Sequence, residues 1–472
     1  MHCDILISHI LYDNANASVR CISVRDFSLS HPNSLFDNIT LYGIMSVFDH
    51  FETLAVHAGR ITDPSTGACA TPLYQTSAFR FNDMEHAARL FELKEDGFIY
   101  TRLSNPTVRV LEERVAALEG CAAAVATSSG QAAHFLTFQN LAVPGDNFVT
   151  FPSLYGGTHT LFRDRFSSFG IDFRFASGKK PRDAEALIDD HTKGLFVETI
   201  ANSDYHVPDF EALAEICKKH RIPLITDNTF GAGGYLFRPA AYGAAVITHS
   251  ATKWIGGHGN SIAGIVAESG NFDWDCGRFP YLTEDCSSYH GLNFWKTFGR
   301  KTFSARARAL GLRDWGCCLS PFNALLILQG IETLSLRMQR AMDNALELAR
   351  WLEKQQQVAH VSYPGLKMHP SYPNVKKYFK NGAGAVLSFT LKGDRSTTAQ
   401  FVERLQLITH LTNVGDNKTL ITHPASTTHG QLTDKELEKA GIGPGTLRLS
   451  AGIEHIDDLK KDLSESLTKC TR

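Results

Sequence analysis

Apolar runs alternate along this chain with segments of helical period. Asn105 suits an N-cap and Pro106 a first helical position, and Val108, Leu111, Val115 and Leu118 follow at steps of three and four. Gly120 ends that helix. Residues 122–127 read as a short apolar strand, 128–131 as a break and 132–141 as a helix. The alternation then repeats: strands over 147–151 and 194–199, a helix over 211–220, an apolar strand from Ile222 closed by Asp227, and a further strand over 244–247. Such alternation predicts an α/β fold, with a mostly parallel sheet and helices on both faces. After Gly264 the text reads as loop to about Gly299. Residues 301–312 and 325–355 read as helices, the second long and amphipathic. Strands over 385–391 and 446–450 and a last helix over 456–467 predict a smaller C-terminal α+β domain.

Composition narrows the class. The chain has 472 residues, 43% apolar and 20% charged, enough for two or three domains with a large core. A net charge of −2 gives no field that favours nucleic acid or an anionic membrane. No apolar run approaches the roughly 18 residues of a membrane span. The 10 cysteines are scattered, with no C-x-x-C pair and no metal-like spacing, so reduced thiols in the cytoplasm and no metal are expected. Cys317 and Cys318 are expected to fill core. Residues 1–50 carry neither a secretory signal nor a mitochondrial presequence and read as a disordered or loosely docked extension. Met45 is an alternative start that mass spectrometry of the native N-terminus would test.

The candidate chemistry gathers where apolar strands stop. The 244–247 strand runs into the sequence HSATKWIGGHG, residues 249–259, with Lys253 between small hydroxyl residues and glycines. A buried strand that delivers a lysine to a cleft can desolvate the amine and make it a nucleophile for a carbonyl, forming a Schiff base. The hydroxyls and N–H groups beside it suit a phosphate, and amine plus phosphate grip is the layout pyridoxal phosphate needs. A solvated loop lysine is the rival reading. Ser128-Ser129-Gly130-Gln131, between strand and helix, offers an anion site at a helix N-terminus, or a plain turn. Tyr155 lies in a loop after a strand, where a ring could stack on a flat ligand or simply pack on the surface. Asp227 closes a buried strand and needs a partner; a protonated pyridine nitrogen is one, a turn N–H another. Tyr100 and Arg102, just before the helix at Pro106, suit a phosphate or the solvent. Arg448, among apolar neighbours, needs an anion: a substrate carboxylate or a structural acid.

Taken together, these stretches resemble the Cys/Met-metabolism family of pyridoxal-phosphate enzymes, and within it the O-acetylhomoserine sulfhydrylases. The matching text is YTRLSNPT at 100–107, SSGQA at 128–132, SLYGGT at 153–158, TDNTF at 226–230, HSATKWIGGHG at 249–259, NVGD at 413–416, HPASTTH at 423–429 and RLSAGIEHIDD at 448–458. The resemblance covers residue 51 to the end, and the order of the pieces makes it specific.

The resemblance implies an aspartate-aminotransferase-like fold of type I with pyridoxal phosphate as cofactor. The implied division is an N-terminal arm over 51–105, a cofactor-binding large domain over 106–305 and a small domain over 306–472. Lys253 would carry the cofactor and shuttle protons, Asp227 would pair with the pyridine nitrogen and Tyr155 would stack on the ring. Gly130, Gln131, Ser250 and Thr252 would hold the phosphate. Tyr100 and Arg102 would reach the phosphate of the neighbouring subunit, so the site would need a homo-oligomer, a tetramer built as a dimer of dimers. Arg448 would bind the α-carboxylate, helped by Asn202 and by backbone at Asn413. The implied activity is γ-substitution on O-acetyl-L-homoserine by sulfide or a thiol, in methionine and cysteine metabolism in the cytoplasm. Two departures stand out: Ser203 follows Asn202 where many relatives carry proline, and Gly157 stands where methionine γ-lyases carry cysteine. Cystathionine γ-synthase or lyase activity, and a secondary-metabolism enzyme using a carbon nucleophile, share the same motifs.

Overall fold

A computed structural model describes residues 48–60, 62–427 and 443–469. The expected extension therefore lies outside the described residues except for its last three positions, as do Met45 and His429.

The chain enters through helix α1 (Phe51–His57) and helix α2 (Met84–Phe91). Helix α3 (Pro106–Glu119) follows, and the sequence explains both of its ends. The Asn105 side chain accepts from the N–H of Thr107 at 3.0 Å, and Gly120 takes a left-handed φ of +69°. Strand β1 (Ala123–Thr127), helix α4 (Gly130–Leu141), strands β2 (Asn147–Thr150), β3 (Asp172–Phe175) and β4 (Thr192–Glu198), helix α5 (Phe210–His220), and strands β5 (Leu224–Asp227), β6 (Ala244–Ser250) and β7 (Gly264–Glu268) complete the first sheet. Its order is β1-β7-β6-β5-β4-β2-β3. The neighbours from β3 to β6 pair in parallel, and β7 runs antiparallel to both β1 and β6.

Both faces of this sheet are covered, so its strands read as apolar runs rather than alternations. Val125, Phe148, Phe196, Ile225, Val246 and Val266 belong to one apolar core with Leu136 and Phe138 of α4. Their strand neighbours Ala126, Val149, Val197, Leu224, Ile247 and Ile265 belong to another, with Leu111, Val115 and Leu118 of α3 and Leu213 of α5. This parallel arrangement has a functional consequence. The C-terminal ends of β1, β2, β4, β5 and β6 all open on one edge of the sheet, where ligands bind in such folds.

Two expectations need correction. Residues 264–268 are a strand, not the start of a loop. Gly264 reads as a breaker, but a Cβ there would stand 2.0 Å from Ser129 O, so the glycine serves close backbone approach. Beyond it the stretch to 299 holds only short helical turns and a two-residue ladder. The long helix expected over 325–355 is two helices, α6 (Pro321–Glu332) and α7 (Leu334–Leu352), broken at Thr333. Gly330 lies just before the break: a Cβ there would lie 2.2 Å from Gly256 O, so the end of α6 is pressed against the lysine loop.

Strands β8 (Val358–Ser362), β9 (Val386–Leu391), β10 (Thr409–His410), β11 (Leu420–Thr422) and β12 (Thr446–Ser450) form a second sheet in the order β8-β9-β12-β11-β10. It is antiparallel except for the β10–β11 pair, and helix α8 (Ile456–Lys469) closes the chain. No helix among the described residues is long and apolar enough to cross a membrane.

Candidate active site

Lys253 sits three residues past β6, in a tight turn held from several sides. Gly256 N–H donates to Ala251 O at 2.9 Å and Gly257 N–H to Lys253 O at 2.7 Å. The Thr252 hydroxyl donates to Ala263 O at 3.2 Å and accepts from Ala263 N–H at 3.0 Å. Arg337 of α7, which sequence reasoning missed, caps the turn. Its guanidinium donates to Trp254 O at 3.0 Å, Ile255 O at 3.3 Å and Gly330 O at 2.6 Å. Gly257 has a φ of +73°, and a Cβ there would meet the Arg337 guanidinium at 1.9 Å, so only glycine fits. The loop before β11 presses on the other side: Gly415 is so close that a Cβ would lie 2.6 Å from Trp254 N. That contact delivers Asn413, whose side-chain oxygen accepts from Lys253 Nζ at 2.5 Å. Burial, with the charge of Arg448 behind it, pushes the lysine amine down to about 8.

Asp227 ends β5 one strand away. Its Oδ1 accepts from the N–H and hydroxyl of Thr229 at 2.9 and 2.6 Å, and His134 Nε2 of α4 lies 3.2 Å from Oδ2. Burial opposes the charge, but the His134 and Thr229 hydrogen bonds outweigh it and hold the carboxyl below its usual range. The same Thr229 hydroxyl accepts from Ser250 N–H at 2.8 Å, which ties the ends of β5 and β6 together.

The N-terminus of α4 faces Ser250. The Ser129 side chain caps the helix through Ala132 N–H at 3.1 Å, while the first two helical N–H groups, of Gly130 and Gln131, precede any intrahelical acceptor. A Cβ on Gly130 would lie 2.8 Å from Ser250 Cβ. Gln131 Nε2 donates to Thr158 Oγ1 at 3.4 Å, but its Oε1 is buried with no partner among the described residues.

Tyr155, 46% exposed, meets Gln131 over Gly157: a Cβ at Gly157 would stand 2.7 Å from the tyrosine ring and 3.1 Å from Gln131 Nε2. The backbone N–H groups of Tyr155 and Asn202 both end on Glu198, the last residue of β4. Asn202 Oδ1 accepts from Arg448 Nη1 at 3.0 Å. Arg448 of β12 is buried, and no carboxylate among the described residues pairs with it. Burial pulls its ionisation down; the Tyr205 and Tyr155 phenols act the other way.

The predicted residues thus fall into two groups. Gly130, Gln131, Tyr155, Asn202, Asp227, Ser250, Thr252, Lys253, Asn413 and Arg448 are linked around one cleft at the sheet edge. Tyr100 and Arg102 stand apart. Arg102 donates to the Arg313 carbonyl and lies 5.6 Å from the Tyr100 ring centre, with no hydrogen bond to the lysine cleft. His134, Glu198, Thr229 and Arg337 were missed. Glu198 alone gave a usable signal, a carboxylate at the end of an apolar strand, the same feature that singled out Asp227.

The cleft fits pyridoxal phosphate on chemical grounds. It offers an amine whose neutral form is accessible, an ionised carboxylate for a ring nitrogen, an exposed phenol ring, and a helix N-terminus kept open by a glycine. Among the described residues no group of histidines, cysteines and acids is arranged to hold a metal ion.

Comparison with known proteins points the same way. The family model for Cys/Met metabolism PLP-dependent enzymes matches residues 52–468. O-acetyl-L-homoserine sulfhydrylase 1 of Thermus thermophilus is 52% identical over 418 residues, covering 88% of this chain and 99% of that protein. Homocysteine synthase of Schizosaccharomyces pombe is 50% identical over 421 residues, covering 89% of this chain and 98% of the other. A crystal structure of a putative O-acetylhomoserine (thiol)-lyase from Campylobacter jejuni, which carries a pyridoxyl-lysine monophosphate, superposes with a TM-score of 0.85. It is 39% identical and covers 89% of this chain and all of that one.

Proposed function

The chain belongs to the Cys/Met metabolism family of PLP-dependent enzymes, and from that premise we propose that it makes homocysteine from O-acetyl-L-homoserine and sulfide, releasing acetate. Methanethiol in place of sulfide would give methionine. The observation that carries the substrate class is Arg448: a buried arginine with an asparagine at its side and no acid to pair with among the described residues, close enough to Lys253 to depress its amine. An α-amino acid brings the missing carboxylate and presents its Cα to the lysine.

Lys253 would hold the cofactor's carbonyl carbon, Asp227 its ring nitrogen, Tyr155 the ring face, and Gly130, Gln131, Ser250 and Thr252 its phosphate. When bound, the cofactor supplies an electron sink for the pairs released at Cα and Cβ. The protein's own groups do the rest. Arg448 and Asn202 grip the α-carboxylate and aim Cα–H at Lys253. The Lys253 amine, half neutral at about pH 8, takes the Cα proton at Nζ, gives that proton up and, neutral again, takes one from Cβ, which lets the γ-acetoxy group leave. Asn413 Oδ1 steadies Nζ between these transfers. After the sulfur adds at Cγ, the same amine returns the protons.

This reading includes an assembly. Tyr100 and Arg102 lie off the cleft of their own chain, which supports the arm over 51–105 reaching the phosphate of a neighbouring subunit; the assembly proposed is a homotetramer in the cytoplasm. The large and small domains would meet near residue 305. The decisive experiment is a product assay with O-acetylhomoserine and a panel of sulfide, methanethiol, cysteine and β-keto esters. Sulfide is expected to give homocysteine and acetate in equal amounts. Product from the β-keto esters alone would sink the sulfhydrylase reading, and cystathionine from cysteine alone would replace it.

A further inference from the structure

We propose that Glu198 is a positioning residue for this site: its single carboxylate clamps the loop that carries Tyr155 to the loop that carries Asn202. The proposal rests on the roles just given to those two residues. Glu198 is only 7% exposed. Its Oε1 accepts the Tyr155 N–H at 2.7 Å and its Oε2 the Asn202 N–H at 2.9 Å. Tyr155 follows β2 and Asn202 follows β4, so chain connectivity alone does not fix their separation. Through Asn202 Oδ1 the clamp extends to Arg448, and through Tyr155 to the ring that borders Gln131. One buried acid therefore sets the distance between the proposed carboxylate grip and the proposed ring face.

The ionised form holds both loops more strongly than the neutral one. Protonation leaves one acceptor oxygen in place and turns the other into a hydroxyl, whose hydrogen competes with an N–H for the same space. The surroundings decide when that happens. Burial pushes Glu198 up, the Asp227 carboxylate opposite it on β5 adds to this, and Asp204 adds a little more; the two N–H bonds act downward. Asp227 is itself held by His134 and Thr229, and Asp204 by Lys179 and Ser153. Arg448 stands beyond Asn202. The balance leaves Glu198 up at about 8. The clamp therefore closes as pH rises through about 8, whereas an exposed glutamate is fully ionised well below neutrality.

Glu198→Gln tests this, with kinetics on the cofactor-loaded protein and hydrogen exchange on the cofactor-free protein. Loss of one charged acceptor is expected to lower kcat/KM for the amino acid about tenfold, mostly through KM. The part of the pH dependence centred near 8 that belongs to Glu198 should vanish. Peptides covering 153–158 and 199–206 should exchange about tenfold faster, while those from β5 and β6 keep their protection. Glu198→Asp keeps the charge on a shorter stem and should restore the pH dependence without restoring full kcat/KM. Unchanged exchange in both loops of folded Glu198→Gln overturns the proposal, and so does an unchanged pH profile. Should the glutamine variant fail to fold, Glu198→Asp decides alone: wild-type KM and wild-type loop exchange overturn the clamp, and a raised KM with faster exchange in both loops supports it. Failure of the sulfhydrylase reading would look different. The unsubstituted protein would not turn over O-acetylhomoserine, yet loop exchange would still depend on Glu198.

Discussion

Replacing Arg448 with methionine should cripple the reaction and leave the fold no weaker. In the free protein Arg448 is 8% exposed and has one side-chain hydrogen bond among the described residues, to Asn202 Oδ1 at 3.0 Å. No carboxylate among the described residues offsets its charge, and the Lys253 amine nearby has the same sign. An uncompensated buried charge is a cost, so an apolar side chain of similar length should leave stability unchanged or raise it by up to about 4 kcal/mol. Substrate reverses the sign. Removing one partner of a buried arginine–carboxylate pair costs about 2–5 kcal/mol. At about 1.4 kcal/mol per decade, that is roughly 30-fold to 4,000-fold in kcat/KM. The assay is a pair of measurements on one preparation, thermal unfolding without substrate and kcat/KM for O-acetylhomoserine. Arg448→Lys, a point charge without the fork, should fall between the two in activity. A melting temperature that drops while kcat/KM barely moves would refute the reasoning, because it would make Arg448 a structural ion.

Lys253→Ala should lose both the visible absorbance of the lysine-bound cofactor and turnover; retained turnover would end the assignment. Uptake of pyridoxal phosphate by protein stripped of it should need the neutral amine. The rate should therefore fall about tenfold per pH unit below about 8 and level off above it, and a rise continuing to pH 10 would show an unperturbed lysine. Asp227→Asn removes the anion that His134 and Thr229 hold in place, and kcat should fall at least about a hundredfold while the cofactor stays bound, as spectral titration and rate measurement together would show. Gly130→Ala puts a methyl 2.8 Å from Ser250 Cβ, and overpacking of about 1–3 kcal/mol should appear as weaker cofactor binding with a smaller change in kcat.

Most elements of the large sheet were legible because burial on both faces writes apolar runs, and because Asn105, Pro106 and Gly120 mark a helix in plain chemistry; the edge strand β3 was not, because Asp172 and Arg174 break its apolar run. Strand β7 escaped because Gly264, placed there for close approach to Ser129, looks like a breaker when its neighbour is unknown. The break at Thr333 escaped for a similar reason, since α6 ends where it meets the lysine loop.

Residue types and their order along the chain marked the candidate chemistry: a lysine after an apolar strand, an aspartate that ends one and an arginine inside another. Folding decided which of them meet. Lys253 finds Asn413 160 positions away, Arg337 reaches back 83 to cap Trp254, and Glu198 spans 43 to Tyr155. Hydrophobic period is a local property and survives in one dimension. The partner of a buried polar group is set by which strand ends share an edge, and that exists only once the sheet has formed.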